Sequence, residues 1–186
     1  FRRVLFRSQE HLLEQYIFEW AATGAAPEPL ALKIDDGLDH AYVEHLAATL
    51  PGGLSGLHVV IDPGHGAATY LSKELFERLG ATVDTINAAP DGRNINLHCG
   101  SQHLDSLRAR VLETSADLGV AFDGDADRAM FVAPSGATID GDAVLLIAGR
   151  WLMQTKGATE VVATVMSNIG LQVALAKHGI SMVRTP

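Results

Sequence analysis

The chain has a single cysteine, Cys99, in 186 residues. That excludes an intrachain disulfide and fits a reducing compartment, so a cytoplasmic location is expected. Long apolar runs are missing too. The longest, Ala143 to Ala148, is far short of a bilayer span, and no membrane partner is expected. No block of Lys and Arg forms a basic face and the formal charge is −8, which argues against nucleic acid as a partner. There is no Gly-x-Ser-x-Gly elbow, no Gly-Lys-Ser or Gly-Lys-Thr phosphate loop, no internal repeat and no low-complexity segment. Disorder is excluded as well, because 47% hydrophobic and 19% charged residues is the balance of an ordinary globular chain.

What the sequence does have is Asp123-Gly124-Asp125-Ala126-Asp127-Arg128, three carboxylates at every second position. Leu118, Val120 and Phe122 alternate with small residues before it, the pattern of a strand, so Asp123 should stand where a buried strand leaves its sheet. In an extended chain such side chains stand roughly 6 to 7 Å apart per two-residue step, too far to share one ion. The loop must curl, and Gly124 and Ala126 are the residue types that permit it, glycine by accepting positive φ and alanine by its small size. Like charges drawn together repel unless a cation compensates them, and an all-oxygen cluster favours magnesium or manganese over zinc. A solvated turn is the plain alternative. An EF-hand fails on spacing, with Arg128 where glycine is needed and Pro134 where a bidentate glutamate is needed. Arg128 suits either a phosphate oxygen or, the preferred reading, the holding of a liganding carboxylate.

The rest of the chain reads as follows. Apolar spacing predicts helices over Gln9–Trp20 and Asp39–Leu50, both with apolar faces in need of a partner, and Pro51-Gly52-Gly53 is the best internal boundary. A regular alternation begins at Leu57: strand Val59–Ile61, Gly-rich turn, helix Ala67–Leu79, strand Ala81–Ile86, then a longer loop to Gly100. Helix His103–Thr114, with Ser101 as a possible cap, leads to the strand before the acidic loop. Ala129–Val132 and Ala137–Ile139 flank a Pro-Ser-Gly turn as a hairpin. Asp142 should cap a helix to Lys156, followed by strand Val161–Val165, a helix Ile169–His178 capped by Ser167 or Asn168, and a last strand Ile180–Arg184. The expected fold is α/β, a three-layer αβα sandwich with a mostly parallel sheet, preceded by an N-terminal helical remnant of another domain.

Three further clusters have plain explanations. Gly64 and Gly66 with Asp84 resemble a dinucleotide fingerprint, but the third glycine position is Thr69 and a tight strand-to-helix turn needs glycines anyway. Asp140-Gly141-Asp142 fits turn and cap duty. His98, Cys99 and His103 lack a fourth zinc ligand at a sensible spacing. A dinucleotide-binding domain and a non-catalytic divalent-cation module both stay open as functional classes.

With the acidic loop in place, the chain resembles the α-D-phosphohexomutase superfamily, whose second domain carries an Asp-Gly-Asp-x-Asp-Arg magnesium loop after a strand. Asn94-Ile95-Asn96, Cys99-Gly100-Ser101, His103-Leu104, Ala116–Gly119 and Asp140–Asp142 resemble that domain in order and spacing. Thr164–Leu171 is most similar to the phosphoglucosamine mutase branch, with phosphomannomutase/phosphoglucomutase next; His65 stands where the family usually has asparagine. The resemblance implies an intramolecular phosphotransferase acting on a phosphosugar, with Mg2+ held by Asp123, Asp125 and Asp127, and Arg128 in support. It also implies residues 9–52 as the tail of a first domain and its link and residues 55–186 as the second, while residues 1–8, with Arg2, Arg3 and Arg7 and no acid, read by composition as a leader foreign to the protein. The family's phosphoserine loop occurs nowhere in the sequence, so the chain reads as a fragment that is inactive alone.

Overall fold

The computed structural model describes residues 6–26, 31 and 37–186. Most of the expected leader, residues 1–5, lies outside the described residues, as does much of the first link. Contacts divide the chain into two compact units, Phe1–Asp36 and Gly37–Pro186.

In the first unit, helix α1 spans Arg7–Ala22 and buries none of its residues; Leu12, Leu13, Tyr16, Ile17, Phe18 and Trp20 are all exposed. The second unit begins with α2, Gly37–Ala48. Both predicted helices therefore exist, but they differ in burial. Helix α2 packs on the next helix, and Val43 at its centre is 1% exposed.

Five strands follow: β1 His58–Asp62, β2 Thr82–Thr85, β3 Leu118–Phe122, β4 Ala129–Val132 and β5 Thr138–Ile139. They form one sheet in the order β2-β1-β3-β4-β5, parallel across β2-β1-β3 and antiparallel from β3 onward. Helices α3, Ala68–Arg78, and α4, Asp105–Thr114, cover opposite faces. Because successive strand residues point to opposite sides, Val60 and Ala121 meet Leu107 and Val111 of α4, whereas Val59, Ile61 and Val120 meet Phe76 of α3. Each such fully buried aliphatic side chain contributes about 1.5 to 3 kcal/mol relative to exposure. Gly119 lets α4 approach closely, since a Cβ there would lie 2.7 Å from Val111 Cγ2. Ser101 does not cap α4 but sits in a one-turn 3-10 helix, Gly100–Gln102, ahead of it.

Among the described residues the remaining strands, β6 Glu160–Thr164 and β7 Ser181–Thr185, pair only with each other, in parallel. The alternation of strands and helices is thus divided between two sheets. Helices α5, Gly141–Lys156, and α6, Ile169–Lys177, pack on this pair through Leu145, Leu146, Leu171 and Leu175. The N-cap of α5 is Asp140, whose carboxylate accepts from the Ala143 N–H at 2.9 Å. Asp142, expected in that role, lies two residues further in, as the second residue of the helix, and its carboxylate instead accepts from the Asn168 backbone N–H and side-chain Nδ2. Asn168 in turn caps α6 by accepting from Leu171 N–H. Among the described residues no helix is long and apolar enough to cross a membrane.

Stability should be uneven along this fold, since opening frees little buried surface in α1 and much in the sheet. Amide exchange followed by mass spectrometry should show α1 exchanging at least about 100-fold faster than Val59–Ile61 and Val120–Phe122. Equal protection of α1 and the strands would contradict this.

Candidate metal centre

The sheet order reverses between β1 and β3: β1 continues through α3 to β2 on one side, and the chain then crosses by α4 to β3 on the other. At such a switch point the loops leaving neighbouring parallel strands diverge and open a crevice at their carboxyl ends. Asp62 at the end of β1 lies opposite Ala121 in β3, so the turn after β1 and the acidic loop after β3 are neighbours.

The acidic loop is also the hairpin connection between β3 and β4, closed by Asp123 N–H to the Arg128 carbonyl at 3.3 Å and by Ala126 N–H to the Asp123 carbonyl at 3.0 Å. Asp123, Asp125 and Asp127 each present one carboxylate oxygen within 4.8 Å of the others. Asp123 is 3% exposed, and the other two are open to solvent. Three oxygen donors, two of them on the open side, suit a hard divalent cation that keeps part of its water shell.

How the loop curls differs from the sequence expectation. Ala126, not Gly124, takes the left-handed conformation, with φ 60°. Gly124 is required by space instead: a Cβ would lie 2.8 Å from both Asn96 Nδ2 and Ile95 Cδ1. On the other side Gly66 packs against Gly124, where a Cβ would strike the Gly124 carbonyl oxygen, and Ala67 N–H donates to that same oxygen at 2.9 Å. The glycines of the β1 turn therefore admit the acidic loop. The acid of the dinucleotide fingerprint is engaged elsewhere, Asp84 accepting from Arg110 Nε at 2.6 Å.

Arg128 closes the site from its end. Its Nε donates to Asp123 Oδ2 at 2.7 Å and to Asp127 Oδ1 at 3.2 Å, and its backbone N–H donates to Asp123 Oδ1 at 3.0 Å. Burial pushes the Asp123 carboxyl up, but the backbone and side-chain hydrogen bonds from Arg128, the bond with Asp127 and the guanidinium charge together outweigh it and hold the group below the usual aspartate range. The same bonds raise Arg128 further, first through Asp123. Among the described residues Asp125 has no such tie, and it lines a cleft of about 260 Å³ with Tyr42, Leu46 and Leu71.

Among the described residues the other acidic and histidine groups do not join this centre. His98 and His103 stack edge to face with ring centres 5.8 Å apart, and the buried Cys99 thiol is raised by burial and by Asp62. His65 occupies a left-handed position, φ 53°, where its Nδ1 accepts from Ala89 N–H. Among the described residues the three aspartates are the one group of acidic, histidine or cysteine side chains placed to share an ion. Sequence reasoning passed over Asp62, Asn87 and Asn96 as individual side chains. A buried acid ending the run Val59-Val60-Ile61 was the available signal, since a carboxylate leaving a core strand needs donors.

The centre is thus an acidic hairpin loop at the switch point of the sheet in an α/β/α domain. Residues 40–136 match the phosphoglucomutase/phosphomannomutase alpha/beta/alpha domain II, and residues 140–186 match domain III of the same family. The chain belongs to the phosphoglucomutase/phosphomannomutase family. It is 48% identical over 180 residues, 96% of its length, to a phosphoglucosamine mutase of Solibacter usitatus, and 50% identical over 153 residues to one of Streptomyces coelicolor. It spans 40% and 34% of those two proteins. A phosphoglucomutase/phosphomannomutase family protein of Burkholderia thailandensis shares the fold, with TM-score 0.68 at 23% identity over 97% of this chain and 39% of that one.

The depressed Asp123 carboxyl sets a pH dependence. The unfolded chain binds a proton at the ordinary aspartate value, about 3.9, which the folded chain refuses until lower pH. This contribution is complete above about pH 4 to 5 and is lost as pH falls through the lowered folded value. Urea unfolding of the parent and of Asp123→Asn should therefore show a stability gap at pH 7 that shrinks below about pH 4. A gap that stays constant or widens toward pH 2.5 would contradict it.

Proposed function

We propose that the chain supplies the metal-binding domain of a phosphoglucosamine mutase, which interconverts glucosamine 6-phosphate and glucosamine 1-phosphate through a bisphosphate intermediate. The observation that carries this reading is the convergence of Asp123, Asp125 and Asp127 within 4.8 Å at the strand-end loop, in a chain 48% identical over 180 residues to a protein of that name. Magnesium fits the donor set, which is all oxygen and partly open to water. When bound, the ion would neutralise charge on a transferring phosphoryl group. Asp123 is the fixed ligand, held by Arg128 and by burial, while Asp125 and Asp127 stand on the open side where a phosphate oxygen can approach. Arg128 is committed to the carboxylates through Nε and keeps its other guanidinium donors for an incoming anion.

The sequence contains no phosphoserine loop and covers 40% of the Solibacter usitatus relative. The nucleophile, the sugar-binding loop and the rest of the phosphate site accordingly belong to the complete enzyme. In that enzyme helix α1 would close a preceding domain, and the matched segments, residues 40–136 and 140–186, favour a metal-binding domain from α2 to β5 followed by the opening of a third in α5 to β7, rather than one second domain over residues 55–186. The lone free thiol at Cys99 suits a reducing, cytoplasmic setting.

Assayed by itself, the chain should turn over no hexose phosphate, and turnover that Asp125→Ala abolishes would contradict this. The positive test is a chimera in which residues 40–186 replace the matching segment of the Solibacter usitatus protein. It should act on glucosamine 6-phosphate in preference to mannose and glucose phosphates, and Asp125→Ala should lower kcat by about 100-fold or more. A folded chimera whose activity survives Asp125→Ala would overturn the metal role; a preference for mannose 1-phosphate would move the substrate to the phosphomannomutase side of the family.

A further inference from the structure

We infer that Asp62 is a positioning residue for the acidic loop, a conclusion that rests on the metal-binding reading above. Asp62 ends β1 with no exposed surface. Among the described residues no Lys, Arg or His pairs with it, and its carboxylate is met by three donors: Gly64 N–H at 2.9 Å on Oδ1, and Asn87 Nδ2 at 2.9 Å and Gly100 N–H at 3.0 Å on Oδ2. A buried carboxylate is costly unless bonded in this way, so the group is kept where only an acceptor serves. Asparagine could not substitute, because its amide N–H groups would confront one set of donors.

The donors come from three separate stretches, and two of them are glycines drawn face to face. A Cβ on Gly64 would lie 3.3 Å from Gly100 Cα, and one on Gly100 would lie 3.3 Å from Gly64 Cα. Both glycines also abut the Phe122 carbonyl, the last residue of β3 before the metal loop. Asn96 donates its backbone N–H to Gly64 O at 2.9 Å and sets its side-chain amide against Gly124. Asp62 thus gathers the β1 turn and the 95–100 loop into one seat, and the acidic loop rests on it through Ala67 N–H to Gly124 O. The three metal-binding carboxylates depend on a carboxylate that binds no metal. Groups that orient ligands in this manner are commonly worth a factor of ten or more in metal affinity.

The test compares the parent chain with Asp62→Asn, with Asn87→Ala, which removes one donor of the three, and with Val111→Ala, a core control on α4 away from the seat. In metal-free protein, Ala67 and Arg128 amides should exchange about tenfold faster than in the parent, relative to Val60, in Asp62→Asn and less so in Asn87→Ala. In Val111→Ala all these amides should change together. Mn2+ affinity, read by water-proton relaxation, should fall about tenfold in Asp62→Asn and not in Val111→Ala. If Asp62→Asn does not fold, Asn87→Ala must show the same local pattern at smaller amplitude. Uniform exchange changes in the Asp62 and Asn87 variants, or parental Mn2+ affinity in both, would overturn the inference. A folded parent that binds no Mn2+ would overturn the metal reading instead, and the exchange pattern alone would then decide the role of Asp62.

Discussion

Three carboxylates held within 4.8 Å of one another are the constraint around which this domain is arranged. Two unit charges 4 Å apart repel by about 4 kcal/mol at an effective dielectric of 20, less where water and salt reach them. The fold answers this in two ways. Asp123 is buried but given a cation partner and a backbone donor by Arg128, whereas Asp125 and Asp127 are left in solvent, where repulsion is screened. The loop remains acidic on its open side, which is what a cation with an incomplete protein shell requires.

Holding such a loop still demands a rigid seat, and the topology provides it. Placing β1 beside β3 brings two strand ends to one edge of the sheet. Backbone then has to approach backbone more closely than side chains allow, which is why Gly66, Gly100 and Gly124 all meet there. The position of the site follows from the sheet order, its shape from the absence of Cβ atoms, and its charge from the hairpin sequence. The smaller β6-β7 sheet is a separate layer that belongs to the domain III match and does not build this centre.

Much of this was legible before the fold was known. Strict alternation marked β3, helical spacing marked α3 and α4, and the Pro-Ser-Gly turn marked the β4–β5 hairpin, because each is a local pattern. Cap assignment was less legible: Asp140 and Asp142 are both acids at the start of α5, and only the helix phase decides that Asp140 caps while Asp142 reaches Asn168. The division into two sheets was invisible, since which strands pair is a long-range outcome and Val161 reads like Val59. The role of Gly124 was misread for a similar reason, as sequence shows that a loop must bend but not what stands against it. Likewise Asp62 draws its donors from residues 64, 87 and 100, which no local window joins.

The central claim is that the acidic loop is a cation site whose carboxylates strain one another until a cation arrives. A melting series of the parent and Asp125→Asn, in chelator and in millimolar magnesium, tests it most directly. In chelator the variant should melt a few degrees above the parent, because one repelling charge is gone and Asp125 makes no compensating bond among the described residues. In magnesium the parent should gain more than the variant, narrowing or reversing the gap, since an ion bound only by the folded state stabilises it. A variant that melts below the parent in chelator, with magnesium shifting neither curve, would make the aspartates structural acceptors and contradict the account.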